Sequence, residues 1–334
     1  MSQKSQISLG RLLLEARAFL ALIVIIAVFS WLSPNYFTVS NFLVMASHVA
    51  IYGILAVGML LVILTGGIDL SVGSVLAFCG VMAGAMMQGI ELGAQVFYLP
   101  VWGVVVLTLA IGGLIGAVNG ILVAFFRVPA FVATLGVMYV ARGLGLLQTN
   151  GLTYNNLAGK AELGNTGFDW LGFNRIEGVP ISVIVLVILA VIFAVTLARS
   201  AFGRWLYATG GNARAADLSG VPVNFVLLAV YTLSGVLAAV AGLVLSSQLT
   251  SAGPTAGSTY ELTAIAAVVV GGAALSGGRG TVQGTMLGAF VIGFLADGLV
   301  IVGVSPYWQT VFTGAVIVLA VLLNSLGNGP ARGR

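Results

Sequence analysis

The chain has 334 residues, 60% hydrophobic and only 7% charged, with thirteen Lys and Arg against nine Asp and Glu for a formal net charge of +4, and its mean hydropathy is +1.13. A soluble domain carries roughly 25% charged residues, so a water-facing globule is excluded and most of this chain is solvated by lipid. The scattered basic residues form no run that tracks a phosphate backbone, which excludes nucleic acid as a partner, and a single cysteine (Cys79) and a single histidine (His48) exclude a disulfide framework or a His/Cys metal cluster.

Along the chain, hydropathy and turn residues predict ten apolar spans, at 17–33, 46–65, 71–88, 100–125, 129–148, 180–198, 223–247, 261–275, 281–303 and 306–325. A membrane-crossing helix needs about 20 such residues, and the short alternating segments of a β-barrel are absent. The expected fold class is an all-α polytopic membrane protein, one domain over residues 1–334. The first run, "FLALIVIIAVF", exceeds a signal-peptide core and no A-x-A-like site follows it, so it reads as an uncleaved span behind an N-terminal tail at 1–16.

Between the second and third spans stands "GGIDLSVG", where Gly66, Gly67, Asp69, Ser71 and Gly73 interrupt the apolar pattern. Glycine pairs break helices because they cost helix propensity and permit positive φ. The spacing returns as "GGAALSGG", with Gly271, Gly272, Ser276, Gly277 and Gly278, and with Ala274 where the first copy carries Asp69. A weaker echo pairs "TLGVMYVARGLGLL" (134–147) with "TLSGVLAAVAGLVL" (232–245), and together the two suggest an internal repeat. In transporters, Gly-interrupted segments in corresponding halves point toward the transport path. Asp69 has two readings. It caps the next helix at a wet cytoplasmic turn, or it binds an ion or proton as the coupling site of a cation-coupled secondary transporter.

Further along, "GGLIGAVNG" (112–120) and "GTMLGAFVIG" (284–293) carry small residues at the spacing that lets helix backbones approach closely. Arg142 in the fifth span and Asp297 in the ninth are charges at comparable depth, and a lone charge there is costly, so a pair between them is the hypothesis to test. Asn119, Gln148 and Glu261 read as interhelical hydrogen bonders, Cys79 as a small packing residue, and His48 has no acid or base partner nearby in sequence. Residues 149–179 form a long polar loop. The other long connection, 199–222, contains "NARAADLSG", which predicts a short helix with Asn212 as N-cap and Gly220 just past its end. Ala215, Leu218 and Ser219 lie on neighbouring faces of it, either as a surface strut or as a knob that docks into a partner.

Charge sets the orientation. With a cytoplasmic N-terminus, ten of the thirteen basic residues fall inside (Lys4, Arg11, Arg17, Arg127, Arg199, Arg204, Arg214, Arg279, Arg332 and Arg334) and only Lys160 and Arg175 fall outside. That is the bias of the positive-inside rule. Both termini and the 199–222 loop are then expected in the cytoplasm, and the 149–179 loop outside.

No G-x-x-x-x-G-K-[ST], G-x-S-x-G or HExxH motif occurs, so neither a P-loop ATPase nor a motif-bearing hydrolase is encoded; the chain is expected not to be an enzyme and to need no cofactor or metal. The stretches "AVGMLLVILTGGIDLSVGSVLAF", "VPAFVATLG", "FGRWLYATGGNARAADLSGV", "AIAAVVVGGAALSGGRGTVQGT" and "GLVIVGVSPYWQ" resemble, in order, the ribose/xylose/arabinose-type permeases of ATP-binding-cassette (ABC) importers. The resemblance implies two permease subunits, identical or different, in the bacterial inner membrane, driven by a separate cytoplasmic cassette ATPase. It also implies an extracytoplasmic sugar-binding protein that delivers a monosaccharide. It assigns contact with the ATPase to Gly210, Gly211, Asn212, Ala215, Ala216, Leu218, Ser219 and Gly220, and a structural place beside the pathway to the "GGIDLSVG" residues. A polyol, a furanosyl signal or a branched-chain amino acid is an alternative cargo, and a membrane scaffold is the non-transport alternative.

Overall fold

The computed structural model describes residues 17–92 and 95–327, so the expected tail 1–16, with Lys4 and Arg11, and the terminal Arg332 and Arg334 lie outside the described residues. Among the described residues thirteen α-helices follow one another: α1 (Arg17–Leu32), α2 (Val39–Leu64), α3 (Val72–Gln88), α4 (Val101–Ala124), α5 (Ala130–Thr149), α6 (Trp170–Phe173), α7 (Ile181–Arg199), α8 (Ala201–Gly211), α9 (Ala213–Leu218), α10 (Val223–Leu249), α11 (Tyr260–Val270), α12 (Val282–Ile301) and α13 (Pro306–Gly327). Six of them (α2, α4, α5, α7, α10 and α12) are long and apolar enough to cross a membrane, and α1, α3 and α11 are shorter apolar helices. Their starts follow local chemistry. Thr38 and Thr281 accept from the amides of Asn41 and Gly284 to open α2 and α12. Pro100, Pro129, Pro180 and Pro222 stand immediately before α4, α5, α7 and α10, where a missing N–H costs nothing because the first amides of a helix have no acceptor.

α2 is the central pillar, buried over most of its length and packed against α7, α10, α11 and α12. α10 lies between α2 and α4, and the α4–α10 seam is lined by small residues: Gly112 meets the Gly235 carbonyl, Gly116 the backbone of Tyr231 and Thr232, and Gly120 that of Leu228. In "GTMLGAFVIG", Gly284 and Gly288 face the backbone of Gly271 and Ala267 on α11, and Gly293 meets Val49 of α2. Both small-residue runs therefore serve close helix packing, held by van der Waals contact. Cys79 is fully buried beside the Thr108 carbonyl.

The 149–179 segment is not an open polar loop. It folds back as a cap, with β3 (Tyr154–Asn155) paired antiparallel to β6 (Ser251–Ala252) and β4 (Arg175–Ile176) to β5 (Val179–Pro180). Leu157 and Phe168 are buried against Met87 and Leu243, and Asn165 ties the cap down by donating to the Met87 carbonyl at 2.8 Å while accepting from the Lys160 amide. A third ribbon, β1 (Ile90–Leu92) with β2 (Gln95–Phe97), follows α3.

The span expected at 261–275 is replaced by a half-helix. α11 has only 11 residues, and the preceding stretch 250–259, which lies between two expected spans, descends into the bundle without helical structure. Ala252 packs at Gly84 of α3, Pro254 at Gly145 of α5, and Gly257 at Leu76 and Gly73. From Gly84 to Gly73 along α3 is a descent of about 16 Å. Irregular backbone at such depth is tolerated only where protein satisfies it, and here Arg142 does so.

Candidate functional site

Both Gly-Gly stretches turn the chain at the end of the bundle opposite the cap, and they touch. The Gly278 amide donates to the Leu64 carbonyl at 3.0 Å, and Gly66 lies beneath the Ser276 carbonyl, with Gly277 against the Gly66 amide. Gly66 and Gly278 have φ of +81° and +71°, the left-handed region that side chains rarely enter. The two stretches are not equivalent: the first opens α3 directly at Val72, whereas the second runs on through Gly280 before α12 begins at Val282. Gly271 and Gly272 carry the turn out of α11, Gly67 lies under the Tyr231 hydroxyl, and Gly73 faces the Glu261 carboxylate.

The 199–222 connection is pressed onto this joint. It contains two helices, one more than expected. Ser200 caps α8 by accepting from the Gly203 amide at 3.0 Å. Asn212 ends α8 and caps α9 by accepting from the Ala215 amide at 3.0 Å. A methyl group on Gly210 would collide with the Leu64 carbonyl and the Gly278 amide, so α8 bears on both turns at once. One turn earlier, Tyr207 donates its hydroxyl to the Gly280 carbonyl at 2.8 Å; burial pushes this phenol up, which keeps the proton on the donor. Of the eight residues singled out here, Gly210 and Ala216 face inward. Gly211, Asn212, Ala215, Leu218, Ser219 and Gly220 are exposed, with Leu218 at 76%.

Asp69 does not sit at a wet turn: it is 1% exposed. Its Oδ1 accepts from the Ser71 amide (2.9 Å) and hydroxyl (2.6 Å), and its Oδ2 from the Ser234 hydroxyl of α10 (2.8 Å). Asn119 of α4 donates to the Ser71 hydroxyl oxygen at 2.9 Å, and Thr134 of α5 accepts from the Leu70 amide at 3.1 Å. The turn is thereby tied to α4, α5 and α10. The amide that Asp69 satisfies belongs to Ser71, the residue just before α3, so its service to the helix start is an Asx-type turn.

Arg142 and Asp297 are not partners. Arg142 donates from one guanidinium nitrogen to the carbonyls of Pro254 (2.7 Å) and Ala256 (2.9 Å), orphaned where the 250–259 stretch is unwound, and Glu261 faces it electrostatically. Asp297 lies 3.1 Å from His48 Nδ1 of α2. Equal depth in two helices said nothing about which way each faced, and the true partners lie 112 or more positions away in sequence. Among the described residues no three His, Cys, Asp or Glu side chains are grouped to hold a metal ion.

Comparison with known proteins follows the same lines. The family described as "Branched-chain amino acid transport system / permease component" matches residues 40–321. The ribose import permease protein RbsC of Escherichia coli (strain K12) is 46% identical over 314 residues, 94% of each chain. That of Bacillus subtilis (strain 168) is 43% identical over 307 residues, 92% of this chain and 91% of the relative. The xylose transport system permease protein XylH of Escherichia coli (strain K12) is 35% identical over 360 aligned positions, 91% of this chain and 90% of the relative. No solved structure matches. With a helical bundle built for lipid and a family match over most of its length, the chain belongs to this family of transport-system permease components, as a non-enzymatic membrane subunit.

Proposed function

We propose that the chain is the membrane-spanning subunit of an ATP-driven, binding-protein-dependent importer of a monosaccharide in the bacterial inner membrane. The observation that carries this reading is the α8–α9 element: two short capped helices, of which α8 packs on the bundle and bears through Gly210 on both Gly-Gly turns while α9 exposes Leu218. A separate cassette ATPase docks on Gly211, Asn212, Ala215, Leu218, Ser219 and Gly220, while Gly210 and Ala216 anchor the element to the bundle. Nucleotide binding closes the cassettes and pushes α8, and the push reaches α2–α3 and α11–α12 together because both turns are in contact with it. A second permease subunit completes the path, and an extracytoplasmic binding protein supplies the sugar and the affinity. The positive-inside bias supports a cytoplasmic location for both termini and α8–α9 and an outside location for the cap; the chain then crosses the membrane ten times, with residues 250–270 together making the eighth crossing. The recurring Gly-Gly-x-x-Leu-Ser-x-Gly spacing supports an origin of the two turns in two related halves whose second turn has since diverged. The ribose and xylose permeases among the relatives favour a pentose.

The experiment is reconstitution. Proteoliposomes holding the chain with its cassette ATPase, supplied with ATP and a D-ribose-loaded binding protein, are expected to accumulate D-ribose. The chain alone, under an imposed sodium or proton gradient, is expected to accumulate none. Gradient-driven uptake by the lone chain would overturn this reading in favour of a secondary transporter coupled through Asp69. The burial of Asp69, with both carboxylate oxygens accepting from Ser71 and Ser234, supports the structural role instead.

A further inference from the structure

A cavity of about 390 Å³ opens between α2, α11, α12 and α13, beside the point where the unwound 250–259 stretch becomes the half-helix α11. Its volume lies at the low end of the range for small-molecule sites, roughly 300–1,000 Å³. Tyr52 and Tyr260 meet on its wall edge to face, ring centroids 4.9 Å apart and planes at 64°. Thr259, Thr263 and Thr313 supply hydroxyls around them, and Gln309, whose Nε2 donates to the Val304 carbonyl at 2.8 Å, supplies its amide oxygen. Among the described residues no charged side chain lines it: Glu261, in the first turn of α11, points instead toward Gly73 and Arg142.

That composition discriminates between cargo classes. An amino acid presents a carboxylate, which the free amides at the start of α11 could meet, and also an ammonium, which needs an anionic partner when removed from water; no lining side chain among the described residues supplies that negative charge. A sugar presents apolar C–H faces ringed by neutral hydroxyls, which match an aromatic wall flanked by side chains that both donate and accept. We propose that this cavity is a passage subsite for an uncharged polyhydroxylated solute of pentose size, and that it selects such solutes over amino acids. The inference rests on the importer reading above and adds a place within the permease where the cargo is recognised.

The test uses the reconstituted complex of permease, cassette ATPase and binding protein, with D-ribose and D-xylose as probes, and reads sugar moved per ATP hydrolysed. Tyr260→Leu removes one ring of the wall. Thr313→Val, isosteric at a half-exposed position, removes one hydroxyl and keeps the fold at least risk. Each is expected to lower D-ribose moved per ATP by about tenfold, the order of one lost stacking or hydrogen-bond contact, and to change the ribose-to-xylose ratio, which a merely structural role leaves alone. Variants with the unaltered ratio of sugar to ATP would overturn the site, as would a fall in uptake matched by an equal fall in hydrolysis. A wild-type complex inert toward both sugars would instead overturn the importer reading, and the site with it.

Discussion

Leu218→Asp is expected to abolish ATP-driven import while leaving the chain inserted and folded. Leu218 makes the largest apolar exposure on α9, at the end of a helix otherwise made of small and polar residues. A buried apolar anchor in a protein interface is typically worth about 2 kcal/mol or more, roughly 30-fold in affinity, and replacing it with a carboxylate adds a desolvation penalty. Co-purification of the cassette ATPase is therefore expected to fall by at least that factor, with the melting temperature of the purified permease unchanged. Gly211→Arg follows the same logic, since a side chain there enters open space. Ala216→Asp does not, because Ala216 is 5% exposed and faces the bundle; it loses stability as well as the contact. A Leu218→Asp chain that retains its ATPase and imports normally would place the docking surface elsewhere.

Asp69→Ala is expected to destabilise the chain by about 3 kcal/mol or more, because three donors (the Ser71 amide, the Ser71 hydroxyl and the Ser234 hydroxyl) lose their acceptor in a dry interior and each unsatisfied group costs roughly 1–3 kcal/mol. Asp69→Asn keeps an oxygen for the two Ser71 donors, and the Ser234 hydroxyl is free to turn and accept, so it is expected to lose only about 1 kcal/mol. Thermal unfolding in detergent measures the difference, and uptake by the Asn variant should track its remaining folded fraction. An Asn variant that is as stable as wild type yet wholly inactive would show that the charge itself is used.

Much of this arrangement was legible in the chain because lipid imposes a simple rule on composition. The apolar runs marked the helices to within a few residues at most ends, and the capping chemistry of Asn212 and Gly220 marked α9 before its fold was in view. The small residues of 112–120 and 284–293 likewise marked the seams against α10 and α11. The half-helix was not legible as such. "TSAGPTAGSTY" has the glycines and proline of any surface turn, and only two features hinted otherwise: it carries no charge at all, and Arg142 stood in a span without an evident partner. Each is ordinary alone; together they describe exposed carbonyls at depth and a cation to bind them. The Arg142–Asp297 pairing failed because rise along a helix is readable from residue number, whereas the direction a side chain faces depends on packing between helices far apart in sequence. For the same reason His48 lacked a partner until α2 and α12 were side by side.

Cysteine labelling tests most directly whether α8–α9 faces the cytoplasm, where a cassette ATPase can reach it. The native chain is a silent background, since its one cysteine, Cys79, is buried, and Ala213 is exposed at the start of α9. With Ala213→Cys, a membrane-impermeant maleimide is expected to leave intact cells unlabelled and to label inside-out vesicles fully, with added cassette ATPase protecting the site. Labelling of intact cells from outside would contradict the orientation and, with it, the coupling of this permease to a cytoplasmic nucleotide cycle.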